Sequence, residues 1–396
     1  MFGFGAKKRI YLDHASATPV LKVARDAVYT AMDVYANPGG IHADSVAAKR
    51  LLENSRERLA AHLGCKSREV VFTSGLTEAN NIGIVGAARA LERARRTLAD
   101  THWIVSSIEH ASVLECFSEV ERMGGHVTHV DPEPTGIIST KKIAHALRAE
   151  TVFVSVGWGN NEIGTIQPLA DIARAIHEHE KKHGTIVLLH SDAGQAPLYR
   201  VPHVHTLGVD LFALGSGKLY GPRSVGALYV SNRTVLAPVV FGGGQERGLR
   251  SGTEDPALAA GFVEAFDVVT RERESEFRRL QNMRDNFAHE VVTHIPGVIL
   301  NGDLRHTLPH MLNISIPGEK NGEYLALQLD HAGIALSTKS ACSEGEKASH
   351  VVRALGVGPS HAKWRSENTL RFSFGRGTTE DELTRALDAL KHLISA

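Results

Sequence analysis

The stretch Ile186-Val-Leu-Leu-His-Ser-Asp-Ala-Gly-Gln195 passes from an apolar run into a short polar turn. An apolar run of this length between turn residues is typical of a strand that is buried on both faces of a sheet. Similar runs recur along the first 230 residues, and segments with helical periodicity separate many of them. The predicted strands are Val70–Ser74, Trp103–Ser107, His126–Val130, Val152–Val156, Ile186–His190, Asp210–Leu214 and Val225–Val230. The predicted helices are Thr77–Leu98, Ala111–Met123, Ile143–Glu150 and Pro168–His183.

Strands that alternate with helices in this way predict right-handed crossovers and a mostly parallel sheet. Ligands of such sheets bind at the carboxyl ends of the strands. Beyond Glu254 the pattern changes. It predicts two long helices over Asp255–Glu274 and Glu276–His294, short strands around Ile299, Leu312 and Leu370, and a last helix from Thr379. We therefore expect a large α/β domain up to about residue 255 and a smaller α+β domain after it.

The composition narrows the class of protein. The chain has 396 residues, 42% of them hydrophobic, and its 44 basic residues balance its 44 acidic ones. These values are typical of a globular protein, and zero net charge argues against broad binding to nucleic acid or an anionic membrane. Three scattered cysteines do not suggest a disulfide framework. We expect a reducing, cytoplasmic location, because neither an export signal nor a membrane-spanning stretch is apparent.

Two polar motifs follow predicted strands. Thr73-Ser-Gly-Leu-Thr77-Glu-Ala-Asn-Asn81 opens a long helix, whose first N–H groups favour a phosphate, although Ser74 or Thr77 would serve equally as a simple helix cap. The second motif is Ser191-Asp192-Ala-Gly-Gln195, which directly follows the apolar run Ile186–Leu189. Its Asp192 is suited to pair with a cationic nitrogen of a ligand, or else only caps a turn.

Lys218 lies in the glycine-rich loop Gly215-Ser216-Gly217-Lys218-Leu-Tyr-Gly221-Pro222. The loop lacks the glycine and the hydroxyl residue that a nucleotide P-loop requires, because Phe212 and Leu219 occupy those positions. The glycine spacing of a dinucleotide fingerprint is also missed, by one residue. A Schiff-base lysine of a pyridoxal phosphate enzyme and a solvated loop lysine both remain open.

Two further loops are rich in glycine and small polar residues and are candidate parts of a site. Gly242–Thr253 is able to cradle a phosphate through Thr253, or is a surface loop. Ser337–Ser349 is rich in small polar residues and should be mobile, and its Cys342 should be an exposed thiol close to Lys339. His179 and His183 match a zinc-peptidase spacing, but they lie in a lysine-rich last helical turn, so we expect no metal site.

Taken together, the motifs give the chain a specific resemblance. From Tyr11-Leu-Asp-His to the last helix it resembles the pyridoxal-phosphate-dependent cysteine desulfurases of iron–sulfur cluster assembly and nitrogen fixation, within the class V aminotransferases. The motifs that carry the resemblance are Asn37-Pro38, Thr73–Asn81, Glu109-His110, Asn160-Asn161-Glu-Ile-Gly, Asp192 with Gln195, Lys218-x-Tyr-Gly-Pro, Gly242–Thr253, Ser340-Ala-Cys342 and Arg371-Phe-Ser-x-Gly-Arg.

The resemblance implies a fold-type I transferase with a mostly parallel seven-stranded sheet. It implies an N-terminal segment (1–20) packed on the small domain, a large cofactor domain (21–255) and a small domain (256–396) that carries the Cys342 loop. The implied activity converts L-cysteine to L-alanine and leaves the sulfur as a persulfide on Cys342. The implied partners are a second copy of the chain and a sulfur-acceptor protein such as a cluster scaffold.

The resemblance also implies individual roles. Lys218 forms the Schiff base with pyridoxal 5'-phosphate, Asp192 keeps its ring nitrogen protonated, Gln195 bonds its phenolic oxygen, and His110 stacks on the ring. The implied catalytic residues are Lys218, Cys342 and His110. The implied cofactor-binding residues are Lys218, Thr77, His110, Asn161, Asp192, Gln195, Ser216 and Thr253, the last from the other subunit. The implied substrate-binding residues are Asn37, Asn161 and Arg371.

One departure from the family pattern matters. The family has Ser-x-His directly before the lysine, whereas this chain has Gly215-Ser216-Gly217. Ser216 would replace the missing hydroxyl only if the loop shifted, and we expect weaker retention of the phosphate. Two alternatives therefore stay open: a related lyase, such as a selenocysteine lyase, and a non-catalytic member that binds a partner.

Overall fold

The computed structural model describes residues 9–339, 348–356 and 359–395. Its strands are β1 (Ile10–Tyr11), β2 (Val70–Thr73), β3 (His102–Ser106), β4 (His126–Val130), β5 (Thr151–Ser155), β6 (Leu188–Asp192), β7 (Leu211–Gly215), β8 (Gly226–Val230), β9 (Ile299–Leu300), β10 (Met311–Ser315), β11 (Ile334–Ala335) and β12 (Thr369–Ser373). Its helices are α1 (Lys22–Ala31), α2 (Ala43–Leu63), α3 (Leu76–Arg93), α4 (Ala111–Arg122), α5 (Thr140–Ala146), α6 (Leu169–His183), α7 (Val204–Leu207), α8 (Pro256–His294), α9 (Gly322–His331), α10 (His350–Ala354), α11 (Pro359–Glu367) and α12 (Glu380–Ser395).

Seven strands form the large sheet, in the order β2-β8-β7-β6-β5-β3-β4. β8 is antiparallel to both of its neighbours, and the other pairings are parallel. Every residue of β3, β5 and β7 is buried, which explains why these strands are apolar without alternation. The expected α/β fold with a mostly parallel seven-stranded sheet is therefore confirmed, and each predicted strand lies within two residues of an observed one.

Two apolar clusters cover the two faces of this sheet. On one face, α3 and α4 pack Ile82 and Phe117 against strand residues such as Phe153. On the other face, residues of α2, α6 and α8, among them Ile172 and Phe262, pack against Phe212. The helices cover the two faces of the sheet but not the carboxyl ends of its parallel strands. The loops that follow these strands are therefore the place where a ligand site can form.

The remaining strands form two small sheets. β12, β10 and β9 are antiparallel, in that order. β1 pairs in parallel with β11, joining Ile10 to Ile334, and the next residues reach β12, where Asp13 bridges Ser373. The beginning of the described chain thus packs on the smaller α+β part, which follows α8.

One predicted break is wrong. The two helices expected on either side of Ser275 form a single helix, α8, of 39 residues. The Ser275 hydroxyl donates to the Glu272 carbonyl at 2.9 Å instead of ending the helix. Ion pairs of Arg278 with Glu274 and of Arg279 with Glu276 stabilise the same turns. Two helix ends also differ: α3 ends at Arg93, and α5 spans Thr140–Ala146. Among the described residues, no helix has the length and hydropathy of a membrane span.

Candidate active site

A pocket opens at the carboxyl ends of β3, β5, β6 and β7. Its lining includes five of the residues that the sequence pointed to: His110, Asn161, Asp192, Gln195 and Lys218. They come from the ends of four strands or the segments that follow them, with Asp192 and Gln195 both from β6 and its turn, so the parallel sheet brings together side chains that are far apart in sequence. Leu76 and Glu109 also line this pocket.

Asp192 is the last residue of β6, and its carboxylate is held by two donors. The backbone N–H of Gly194 donates to Oδ1 at 2.9 Å, and the amide of Asn80 donates to Oδ2 at 2.8 Å. Asn80 is fully buried on α3. Two hydrogen bonds to the ionised form fix the orientation of this carboxylate, which leaves it ready to pair with a cationic ligand nitrogen.

His110 is linked to Asp192 through a chain of hydrogen bonds. Asn80 also donates to the Ser112 hydroxyl at 2.9 Å, and that hydroxyl lies 2.8 Å from His110 Nδ1. The Ser112 backbone N–H donates to the same Nδ1 at 3.1 Å, so the imidazole caps the N-terminus of α4. With Nδ1 accepting, the proton of the neutral ring sits on Nε2. Burial lowers the pKa of His110, Asp192 opposes this, and Lys218 adds to it.

Glu109 is a second carboxyl group in the pocket wall. Its Oε1 accepts from the Gly157 backbone N–H at 2.9 Å. The pKa of Glu109 is raised to about 8, chiefly by burial and also by the nearby Asp192, while the Gly157 N–H opposes the shift. Glu109 is therefore mostly protonated at pH 7 and adds little negative charge to the pocket.

Gln195 is buried between the N-terminal segment and the small domain. Its Nε2 donates to the Ala15 carbonyl at 2.8 Å, and its Oε1 lies 3.3 Å from His310 Nε2. These bonds fix the amide at the pocket wall. One of the two amide hydrogens is used by Ala15, so the amide has one further donor hydrogen.

Arg371 lies on β12, next to Asn161 but behind the pocket wall. Its Nη1 donates to the Asn161 carbonyl at 2.8 Å, and its Nη2 donates to Asp13 at 2.8 Å and to Ser16 at 2.7 Å. Its Nε is buried without a hydrogen-bond partner among the described residues. The structure thus brings Arg371 close to Asn161, with its guanidinium already paired to Asp13.

Several predicted residues do not line this pocket. Thr77, in the first turn of α3, lines an adjoining groove together with His110, and Thr253 is exposed in a separate groove with Ser74. Ser216 is fully buried, and its hydroxyl lies against Gly221, where a Cβ would be only 2.1 Å away. Asn37 is exposed and accepts a bond from the Gly39 N–H. Cys342 lies outside the described residues.

Sequence reasoning missed the two residues that connect the site, Asn80 and Ser112. Both are polar and buried on helices that cover the sheet. A polar side chain on the buried face of a helix is a usable signal, because it needs a partner there. The partner itself was not readable from the sequence, since Asn80 and Asp192 are 112 positions apart.

The pocket fits a phosphorylated pyridine aldehyde. Lys218 provides an amine, Asp192 an anion, His110 an aromatic ring and Gln195 an amide donor. α3 begins at the pocket wall, and its N-cap residue Gly75 has no side chain to cap the helix, while the Glu78 carboxylate in its first turn accepts from the Ser74 N–H. An uncapped helix N-terminus binds phosphate well. The residues before Lys218 add no side chain to this set.

Comparisons with known proteins agree with this fit. The family model "Aminotransferase class-V" matches residues 10–386. The cysteine desulfurase IscS of Dictyoglomus turgidum is 35% identical over 390 residues, which are 98% of this chain and 95% of the relative. A solved NifS-like protein superposes with a TM-score of 0.88 at 28% identity, over 98% of this chain and 99% of that one. The solved SspA in complex with cysteine gives a TM-score of 0.76 at 30% identity, over 92% and 98%.

The family match covers the seven-stranded sheet, the smaller α+β part as far as the beginning of α12, and all residues of the site described above. The relatives are similar to this chain along almost their whole length. The chain therefore belongs to the class-V aminotransferase family and, within it, to the cysteine desulfurase group of pyridoxal-phosphate-dependent enzymes.

Proposed function

We propose that this protein converts L-cysteine to L-alanine and keeps the released sulfur as a persulfide on Cys342. The observation that carries the proposal is the meeting of Lys218, Asp192 and His110 in one pocket at the carboxyl edge of the sheet. The relative SspA, solved in complex with cysteine, supports cysteine as the substrate.

The pocket residues divide the task of holding pyridoxal 5'-phosphate. Lys218 binds it covalently, Asp192 pairs with its ring nitrogen, and Gln195 donates to its phenolic oxygen. The first-turn N–H groups of α3 and the Thr77 hydroxyl take the phosphate. When bound, the cofactor would supply an electron sink for the electron pair that remains on Cα after its proton is removed.

The chain's own groups then move protons and hold the substrate. Lys218 Nζ would accept the Cα proton of cysteine. His110 carries its proton on Nε2, and Asn80 and Ser112 hold the ring in that tautomer. Asn161 and the unpartnered Nε of Arg371 are the groups that we assign to the substrate carboxylate.

The transfer of sulfur requires only the substrate and Cys342 as reactants. The Cys342 thiolate attacks the substrate sulfur, a sulfur–sulfur bond forms, and the bond between Cβ and sulfur breaks. The electron pair of that bond stays on the carbon side, Cβ takes up a proton, and alanine leaves. Cys342 is oxidised to the persulfide and the substrate carbon is reduced, so no external oxidant is required.

We further propose a homodimer that delivers the sulfur to an acceptor protein such as an iron–sulfur cluster scaffold, in the cytoplasm and without a role for nucleic acid or membrane. Large apolar side chains are strongly exposed in and after α1: Tyr29, Met32, Tyr35 and Ile41. Such a patch is typical of a subunit interface. Thr253 of the second subunit would then complete the phosphate site.

The proposal is tested by measuring alanine and sulfide released from L-cysteine, with excess pyridoxal phosphate and a thiol reductant. We expect equal amounts of the two products from the wild type and none from Lys218→Ala. Cys342→Ala should lose turnover but keep the visible absorbance of the bound cofactor. Full sulfide release by Cys342→Ala would instead indicate a simple lyase, and cofactor binding without turnover would favour a non-catalytic member.

A further inference from the structure

Thr18 binds the loop that carries Lys218 on both sides of the lysine. Its backbone N–H and its hydroxyl both donate to the Gly217 carbonyl, at 3.1 Å each. The same hydroxyl oxygen accepts from the Tyr220 N–H at 2.8 Å. Leu21 adds a further bond, because its N–H donates to the Tyr220 carbonyl at 2.9 Å. This N-terminal segment therefore holds the loop through the residue before the lysine and through the second residue after it.

The loop's own backbone bonds converge on a different peptide group. The N–H groups of Leu219 and Gly221 both donate to the Ser216 carbonyl, at 2.8 and 3.1 Å. Gly217 contributes no side chain, and glycine loses more conformational freedom on ordering than any other residue. The position of the lysine backbone therefore depends on the bonds from Thr18 as well as on the turn itself.

Tyr220 is the part of the loop that most needs an external partner. Its φ is 62°, a left-handed conformation that is strained for a bulky residue and persists only where the surrounding structure imposes it. Tyr220 is also buried, so its N–H would lack a partner if the Thr18 hydroxyl were removed. The bond from Thr18 thus stabilises a strained turn directly after the lysine.

We infer that Thr18 is a positioning residue for Lys218, which sets where the lysine amine meets the cofactor. The inference rests on the proposed function only in the assignment of Lys218 to the covalent bond with pyridoxal 5'-phosphate. In that bond the nitrogen of the lysine amine joins the aldehyde carbon of the cofactor, and one water leaves. Thr18 acts on the backbone on either side of the lysine, so it changes how often the amine is correctly placed and not its chemistry.

The test is the rate at which this bond forms when cofactor-free protein is mixed with saturating pyridoxal phosphate, followed by visible absorbance. Thr18→Val removes the hydroxyl but keeps the backbone N–H and the size of the side chain. We expect the saturating rate to fall about tenfold, since misplacing a reacting group by about 1 Å costs up to about a hundredfold. Thr18→Ser restores the hydroxyl and should stay within about twofold of the wild type. Weaker binding of the cofactor alone would not change a saturating rate.

Thr101→Val is the matched control. The Thr101 hydroxyl is fully buried, donates to the Leu98 carbonyl at 2.7 Å and accepts from Trp103 Nε1 at 2.9 Å. It makes the same kinds of bond as Thr18, but it lies just before β3, at the end of the sheet opposite to the pocket. We expect both valine variants to lower the melting temperature of the cofactor-free protein, and only Thr18→Val to slow the formation of the bond.

The inference is overturned if Thr18→Val forms the bond at the wild-type rate, if Thr18→Ser does not restore that rate, or if Thr101→Val is slowed equally. Thr18→Ala serves if the valine variant does not fold. Lys218→Ala should form no visible bond; a bond formed there would place it on another residue and also overturn the inference. A wild type that forms the bond but releases no alanine from L-cysteine would contradict the proposed function and leave this comparison of rates intact.

Discussion

The amide nitrogen of Asn80 donates to the Ser112 hydroxyl and to Asp192, at 2.9 and 2.8 Å. This single buried amide therefore orients both the carboxylate and, through Ser112, the imidazole of His110. Removing it leaves two buried polar groups with fewer partners, which typically costs about 1–3 kcal/mol. At the residue scale, Asn80 therefore connects Asp192 to His110 through hydrogen bonds.

We expect Asn80→Ala to raise the Kd of pyridoxal phosphate by about tenfold, because the Asp192 carboxylate loses a donor that fixes its orientation. The measurement is a cofactor titration followed by absorbance. Asn81→Ala is the control: Asn81 is the next residue of the same helix, and its amide donates to the Thr77 carbonyl at 2.9 Å. A Kd that changes equally in both variants would contradict the proposed role of Asn80.

Gly217→His restores the side chain that the family carries before the lysine. The open space at Gly217 allows the substitution at Cβ. One added hydrogen bond contributes about 0.5–1.5 kcal/mol, so the Kd of pyridoxal phosphate should fall about three- to tenfold. The same titration checks it. An unchanged Kd would mean that the glycine at this position does not weaken cofactor binding.

At the scale of the elements, α8 runs without interruption from Pro256 to His294. Proline at position 275 would remove a hydrogen bond and clash with the preceding turn, which costs about 3 kcal/mol or more inside a helix. Ser275→Pro should therefore lower the stability in urea by that amount, while Ser275→Ala should change it by less than about 0.5 kcal/mol. Equal stability of the two variants would favour two separate helices meeting at this residue.

The strands and helices also show which parts of the fold could be predicted from the sequence alone. The central strands β3, β5 and β7 were predictable because every one of their residues is buried, which favours runs of β-branched and apolar residues. The prediction of two helices in place of α8 was wrong, because the helix continues through Ser275 and ion pairs within it span this position. The pocket loops were found as motifs, but the bonds of Asn80 and Arg371 join distant segments and had no local signal.

At the scale of the whole molecule, buried histidines limit stability in acid. Burial lowers the pKa of His14, His102 and His190 to about 4. In the unfolded chain these rings take up a proton near pH 6.5. Between these values the unfolded state binds more protons, so the stability of the fold is full above pH 6.5 and falls as the pH falls toward 4.

We expect the melting temperature of the cofactor-free protein to drop steadily between pH 6.5 and pH 4. His102→Gln should make this drop shallower, because glutamine keeps hydrogen-bonding groups near Thr128 and Thr151 without taking up a proton. His289→Gln, on the exposed side of α8, should keep the wild-type slope. A slope that is unchanged in His102→Gln would show that acid lability has another origin.

The ion pair between Asp13 and Arg371 joins residues that are 358 positions apart. During synthesis on the ribosome, at about 5–20 residues per second, roughly 20–70 seconds separate the appearance of the two residues. Under the assignment of Arg371 to the substrate carboxylate proposed above, a nascent chain that has made only its large sheet still lacks this guanidinium. Binding of the substrate carboxylate would then wait until β12 has been synthesised.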